Sequence, residues 1–289
     1  VKKRKKMIEH WQKEERIGIF GQDGHCVIVV HGGPGAYGGS DPVAKELSKT
    51  FRTYAPWQRR SGDVRLSVDI HVEDLKQLIE VKFPDKQPAI VGESWGAMLA
   101  LAFASKYPKM CNCLALVGCG SFSEEVRQEL SKRRQERIRN HIAKHPEFAS
   151  DLQLPVLEQV LKWHDMTDTF ARIGYAKPAG PEGEFDRQAF DETWSDMVRC
   201  QKERIYPDAF VNISCPVIMI HGDYDPHPGK ITADYLKAYI HQLEYKELSK
   251  CGHAPDIEKY ARNEFYEFLI QWLKEKIYFR KDIDYIIQE

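Results

Sequence analysis

The sequence predicts an α/β protein: a mostly parallel sheet flanked by helices and interrupted by one helical insertion. Three observations carry this. Strand-sized apolar runs alternate with amphipathic helical patterns through the first 120 residues. From about residue 121 to 208 long charged helical stretches replace the strands, and strand-like runs then resume. At 289 residues, the chain suits a single core carrying one sizeable insertion. The expected division is a core over 1–120 and 211–289 with a helical cap over 121–210.

Residues 25–30 read as a buried strand ending at a glycine turn, and 53–57 as a second strand. Val72, Leu75, Leu78 and Ile79 sit at helical spacing within 71–83. Residues 89–91 form a short strand running into Gly92, and an Ala- and Leu-rich helix over 98–107 is closed by Pro108. Residues 111–117 return to the sheet, and their period of two places Cys111 and Cys113 on one face of that strand. Helices are expected over 124–143 and 154–169, with a loop rich in Pro and Gly over 177–184. A strand over 215–220, a helix near 231–240, a strand over 243–248 and an amphipathic helix over 260–277 complete the core.

Apolar residues make up 42% of the chain, enough for a large core rather than a disordered chain. Lys and Arg number 42 against 43 Asp and Glu, so no net field draws nucleic acid or anionic lipid, and neither partner is expected. The apolar runs are far shorter than the roughly 20 residues of a membrane helix, and the basic run at 2–6 has no apolar stretch behind it and reads as a solvated tail. Seven scattered cysteines, an odd count, suit reduced thiols in a cytoplasmic protein.

The chemistry is carried first by Gly92-Glu93-Ser94-Trp95-Gly96, at the junction of a strand and a helix. Such a turn exposes the serine hydroxyl, and glycines two residues to either side let the two backbones approach. Upstream, His31-Gly32-Gly33-Pro34-Gly35 follows a strand end. An acyl-transfer site needs two N–H groups aimed at the developing oxyanion. Pro34 has no N–H, so Gly33 and Trp95 are the expected donors. A phosphate-binding role lacks the Lys-Ser/Thr ending it requires. Near the C-terminus Asp223 and Asp225 follow one strand and His253 another. The order Ser, Asp, His along the chain, each just past a strand end, is a third match.

These residues resemble the α/β-hydrolase superfamily, and HGGPG with a Trp after the serine resembles its proline iminopeptidase branch. The resemblance implies Ser94 as nucleophile, His253 as general base and Asp225, 28 residues before it, as the orienting acid, with Asp223 the alternative. Two features of the branch are altered. Trp57-Gln58-Arg59-Arg60-Ser61-Gly62 stands where it carries Asp-Gln-Arg-Gly-x-Gly-x-Ser, and no Trp-Glu pair occurs in the cap, since Trp163 precedes His164 and Trp194 precedes Ser195.

His31 and His221 read as structural, Glu93 as a buried hydrogen-bonded carboxylate, and His227 as an outside candidate for substrate contact. His141, His145 and His164 are expected to be exposed, and no metal-ligand spacing is seen. The expected function is cofactor-free hydrolysis of a small carboxylic ester or amide through an acyl-enzyme, on a small-molecule or short-peptide substrate. An iminopeptidase-like aminopeptidase is the alternative, and would require a cap carboxylate for the substrate's α-ammonium; Glu182, Glu184, Asp186, Asp191, Glu192 and Asp196 are candidates. A cofactor-free lyase or perhydrolase, or a slow-turnover receptor, shares the same scaffold.

Overall fold

The computed structural model describes residues 17–36, 38–173 and 185–286. The basic run at 2–6, the loop at 177–184, and with it Glu182 and Glu184, lie outside the described residues. Seven strands, β1 (Ile17–Phe20), β2 (Cys26–Val30), β3 (Arg52–Pro56), β4 (Ala89–Glu93), β5 (Leu114–Val117), β6 (Val217–Gly222) and β7 (Leu243–Leu248), form one sheet in the order β1-β3-β2-β4-β5-β6-β7. β1 is antiparallel to β3 and every other pair is parallel, with Val30 opposite Gly92, Glu93 opposite Val117 and Gly222 opposite Leu248.

The α-helices of seven residues or more are α1 (Asp41–Leu47), α2 (Val68–Lys82), α3 (Trp95–Lys106), α4 (Glu124–Lys144), α5 (Val156–Asp168), α6 (Arg187–Lys202), α7 (Gly229–Lys237) and α8 (Arg262–Ile286). Alternation along the strands assigns each face its own layer. Val27, Val29 and Val91 pack in one core with side chains of α1 and α8. Ile28, Val30 and Ile90 pack in the other with side chains of α2 and α3. Each wholly buried aliphatic side chain of this kind stabilises the fold by about 1.5–3 kcal/mol. α3 is buried from Trp95 through Ser105, which accounts for its Ala- and Leu-rich composition, and it begins at the elbow rather than at Met98.

The strand expected at 111–117 begins only at Leu114. Residues 107–110 close a turn, Met110 N–H donating to Tyr107 O at 3.0 Å, so the extended period does not reach back to Cys111. Consequently the two thiols fall in different cores, Cys111 with the α2–α3 layer and Cys113 with the α1–α8 layer. Cys111 instead meets Cys215, Sγ to Sγ, at 3.8 Å.

The helical insertion α4–α6 lies between β5 and β6. Serine and aspartate caps set the starts of α4 and α6: Ser123 accepts from Val126 N–H at 3.2 Å and Asp186 from Ala189 N–H at 2.9 Å. Among the described residues no helix is long and apolar enough to cross a membrane.

Candidate active site

Ser94 stands between the last residue of β4 and the first residue of α3, in a left-handed conformation with φ 54°. For a residue with a Cβ this costs on the order of 1–3 kcal/mol and persists only where the surroundings impose it. The surroundings here are close backbones. A Cβ on Gly92 would lie 2.4 Å from Gly96 O, and one on Gly96 would lie 2.2 Å from Val30 O. Both glycines are therefore required by packing, and Ser94 N–H is fixed on Val117 O at 2.7 Å.

The glycine turn after β2 lies directly on this elbow, because a Cβ on Gly32 would sit 3.0 Å from Ser94 Cβ. Gly33 has φ 57°, a value glycine adopts without strain. Gln58 holds the turn in place. Its N–H donates to His31 Nε2 at 3.0 Å, its side-chain amide donates to His31 O at 2.9 Å, and its Oε1 accepts from Trp95 Nε1 at 2.8 Å. One side chain thus ties the Gly33 turn to Trp95. Because Nε2 of His31 accepts, Nδ1 carries the proton and donates to Gly32 O at 2.9 Å. Burial lowers this imidazole to about 4, so it is a neutral structural group at pH 7. Trp95 N–H belongs to the first turn of α3, where helix N–H groups have no intrahelical partner.

Asp225 follows β6 in a tight turn, its N–H on Gly222 O at 3.1 Å, and is 1% exposed. Three imidazoles surround its carboxylate. His253 Nδ1 lies 3.0 Å from Oδ2, His221 Nδ1 3.1 Å from Oδ2, and His227 Nδ1 2.9 Å from Oδ1. Burial opposes the charge, but the imidazoles outweigh it and hold the carboxyl well below the usual carboxylate range. Asp223 does not reach His253. It accepts from Cys251 N–H at 3.2 Å and Ser249 Oγ at 3.3 Å, bracing the loop that leads to the histidine.

His253 is held by its backbone as well, its N–H donating to Asp168 O at the end of α5 at 2.7 Å. A Cβ on Gly118 would lie 3.0 Å from the His253 ring. Gly118 follows Val117, the residue that fixes Ser94 N–H, so the imidazole stands beside the elbow. No hydrogen bond joins Ser94 Oγ to His253 among the described residues; such bonds commonly tighten as substrate binds. Burial lowers the His253 pKa, but the charge and hydrogen bond of Asp225 outweigh it, and the net shift is upward.

Sequence reasoning missed Glu258. It is wholly buried, and its carboxylate accepts the N–H groups of Gly252, Phe170 and Ala171, each at 2.8 Å. It joins the segment after α5 to the loop bearing His253. A carboxylate following Gly-His-x-Pro was the available signal, since Pro255 opens a single turn that folds Glu258 back toward Gly252. Glu93 accepts the Ser40 hydroxyl at 2.6 Å; burial, and then the charge of Asp256, push its carboxyl up to about 8. Of the insertion histidines, His145 and His164 are exposed, whereas His141 is half-buried and stacks on His145 with ring centroids 4.5 Å apart.

His227 lies flat on His253, ring centroids 4.3 Å apart and 20° from parallel, and lines a cavity of about 190 Å³ under the insertion. Burial lowers it to about 4, against the pull of Asp225. Ligand atoms of Asp225, His227 and His253 lie within 4.8 Å of one another, a spacing compatible with a metal ion. Both Nδ1 atoms are engaged with Asp225 and the rings are stacked, so their Nε2 lone pairs run parallel rather than converging at the ~2.1 Å a zinc ion requires. The group fits imidazole orientation better than metal coordination.

Residues 26–260 match the family model described as the alpha/beta hydrolase fold. The chain is 23% identical over 255 residues to 2-hydroxymuconate semialdehyde hydrolase of Pseudomonas sp. (strain CF600), covering 83% of this chain and 84% of that one. It is 24% identical over 241 residues to the human serine hydrolase BPHL, covering 76% and 70%. A thermophilic esterase from Thermogutta terrifontis superposes with TM-score 0.59 at 18% identity, covering 90% of this chain and 93% of that one. The matched span takes in β2 to the segment after His253, and with it the elbow and every residue around Asp225. The chain belongs to the α/β-hydrolase fold family.

Proposed function

We propose that the protein hydrolyses a small carboxylic ester or amide through an acyl-enzyme on Ser94. His253 takes the serine proton as Oγ attacks the substrate carbonyl, and the N–H groups of Gly33 and Trp95 hold the oxyanion. Asp225 keeps His253 in the tautomer with Nδ1 protonated and stabilises its charged form. Water then attacks the acyl-enzyme with His253 again as base. Residues 121–210 act as a cap that shapes the pocket and sheds water. The observation that carries this reading is the Asp225–His253 pair, 3.0 Å apart, set beside a serine in a strained elbow.

The aminopeptidase alternative calls for a cap carboxylate free to hold an α-ammonium. Asp186 accepts from Ser61 N–H at 3.0 Å and caps α6, Glu192 accepts from Leu66 N–H at 2.7 Å, and Asp196 accepts from Val68 N–H at 2.9 Å. Asp191 pairs with Arg187 in solvent. These engagements support the esterase or amidase reading.

A fluorophosphonate probe is expected to label the wild-type protein and not Ser94→Ala, and p-nitrophenyl esters are expected to turn over. Absence of both would remove the serine-hydrolase mechanism and favour a binding role. Turnover of proline p-nitroanilide a hundredfold above its N-acetyl form and the esters would instead establish amine recognition, since about 2.7 kcal/mol would have to come from the free amine. The pH profile has a defined sign. Because Asp225 raises the His253 pKa, kcat/KM is expected to rise with pH through a midpoint above 6.5 as His253 loses its proton. A midpoint below that value would contradict the pairing.

A further inference from the structure

The cavity beside His227 is lined by the apolar residues Leu130, Val160 and Trp194 and by two arginines, Arg127 and Arg134. Their electrostatic situations differ. Arg134 is neutralised, its Nε donating to Asp168 Oδ1 at 2.9 Å in a paired contact with a carboxylate that is 2% exposed. The pair is tight enough that Asp168, despite its burial, is held near 2. The neighbouring Arg137 is turned away, toward the carbonyls of Thr167 and Tyr224 and the face of the Tyr224 ring.

Arg127 is half-buried, and among the described residues no carboxylate lies within ion-pair distance of it. Its Nη1 donates to Oε1 of Gln201, a neutral amide that is itself buried and donates in turn to Ser121 O at 3.1 Å. Gln201 therefore aims the guanidinium without cancelling its charge. Withdrawal from water lowers the Arg127 pKa, yet arginine stays protonated at any physiological pH. Glu124 and Glu125 act on this charge electrostatically, but neither pairs with it within ion-pair distance. A half-buried, oriented cation with no salt-bridge partner, in a cavity with apolar walls, repels an ammonium and favours an anion. Its planar fork matches a carboxylate. Ser121 and Ser131 line the same cavity; the Ser121 hydroxyl donates to Ser123 O at 3.4 Å, whereas the Ser131 hydroxyl accepts from Gln135 Nε2 at 3.2 Å and keeps its own proton to donate.

We propose that this cavity selects substrates whose acyl part carries a carboxylate, with Arg127 as the residue that recognises it and Gln201 as the residue that positions Arg127. The inference rests on the ester or amide reading above and specifies its substrate class. It also opposes the amine recognition an aminopeptidase needs, for a reason independent of how the described cap carboxylates are engaged.

The test compares three p-nitrophenyl esters of similar length: the hemiglutarate, its monomethyl ester, and 4-aminobutyrate. In the wild-type protein kcat/KM for the hemiglutarate is expected to exceed that for the neutral ester at least tenfold, mainly through KM, with 4-aminobutyrate the poorest. The preference should shrink as salt screens the charge. Arg127→Met is expected to bring the anionic-to-neutral ratio below about two and Arg127→Lys to keep part of it; the ratio cancels any general loss of fold or activity. A wild-type ratio near one, or a ratio unchanged in Arg127→Met, would overturn the proposal. Glutarate binding, followed by thermal shift and by protection of Ser94 from the fluorophosphonate, reads the cavity without turnover. Loss of the thermal shift in Arg127→Met supports the proposal, and an equal shift in both proteins overturns it. Failure of the serine-hydrolase reading is recognised separately, by the absence of labelling.

Discussion

Ser94→Ala is expected to lower kcat/KM by a factor on the order of 10⁴–10⁶, and His253→Ala by a similar factor, because members of such a triad act as a unit. Asp225→Asn should cost about 10⁴, since an amide beside Nδ1 no longer enforces the productive tautomer. Asp225 also holds His221 and His227, so this variant should lose some stability as well, and circular dichroism must accompany the kinetics. Asp223→Asn is the discriminating control. Asp223 braces the backbone at Cys251 and lies outside the imidazole cluster, so the change should cost less than tenfold. A larger loss for Asp223→Asn than for Asp225→Asn would exchange the roles of the two aspartates. Retention of activity in Ser94→Ala would end the acyl-enzyme mechanism altogether.

Local signals were legible where chemistry and backbone geometry coincide. Gly92 and Gly96 announced the elbow because no other residue fits between β4, α3 and Val30 O. The Ser, Asp, His order placed its members at strand ends, and three of the four calls on strand positions after residue 80 land within a residue or two of the observed bounds. Cys111 was misplaced because a two-residue period continues on paper through a turn that ends the strand. β1 and α1 escaped notice for a different reason: they are four and seven residues long, too short for periodicity to stand above background. Gln58 was visible as a surviving family residue, but its bonds to His31 and Trp95 span 27 and 37 positions, and such contacts leave no local pattern. That Arg127 meets a neutral amide rather than a paired carboxylate among the described residues is likewise a fact of three dimensions. Seven basic residues share α4, and only the fold shows which of them meets a carboxylate.

Glu258→Ala is expected to destabilise the protein by roughly 3–9 kcal/mol, because three buried N–H groups lose their acceptor and each one left unsatisfied costs about 1–3 kcal/mol. At roughly 2–4 °C per kcal/mol for a domain of this size class, the melting temperature should fall by at least about 6 °C. Activity should fall with it, at temperatures where the variant is still folded. Gly252 N–H is one of the three donors and His253 is the next residue, while Phe170 and Ala171 follow Asp168, whose carbonyl accepts His253 N–H. Glu258 thus fixes the imidazole from both sides of one loop contact, and a loss of at least tenfold in kcat/KM is expected. Glu258→Gln separates charge from position. With its carbonyl at the Oε1 place it still accepts from Gly252 and Phe170, but its NH₂ then faces Ala171 N–H, so about a third of the contacts become repulsive. Its melting temperature should lie between those of wild type and Glu258→Ala. Thermal unfolding and kcat/KM measured on all three proteins decide the matter. A melting temperature of Glu258→Ala within about 2 °C of wild type would show that water replaces the carboxylate, and that the His253 loop is held by Asp168 and Asp225 without it.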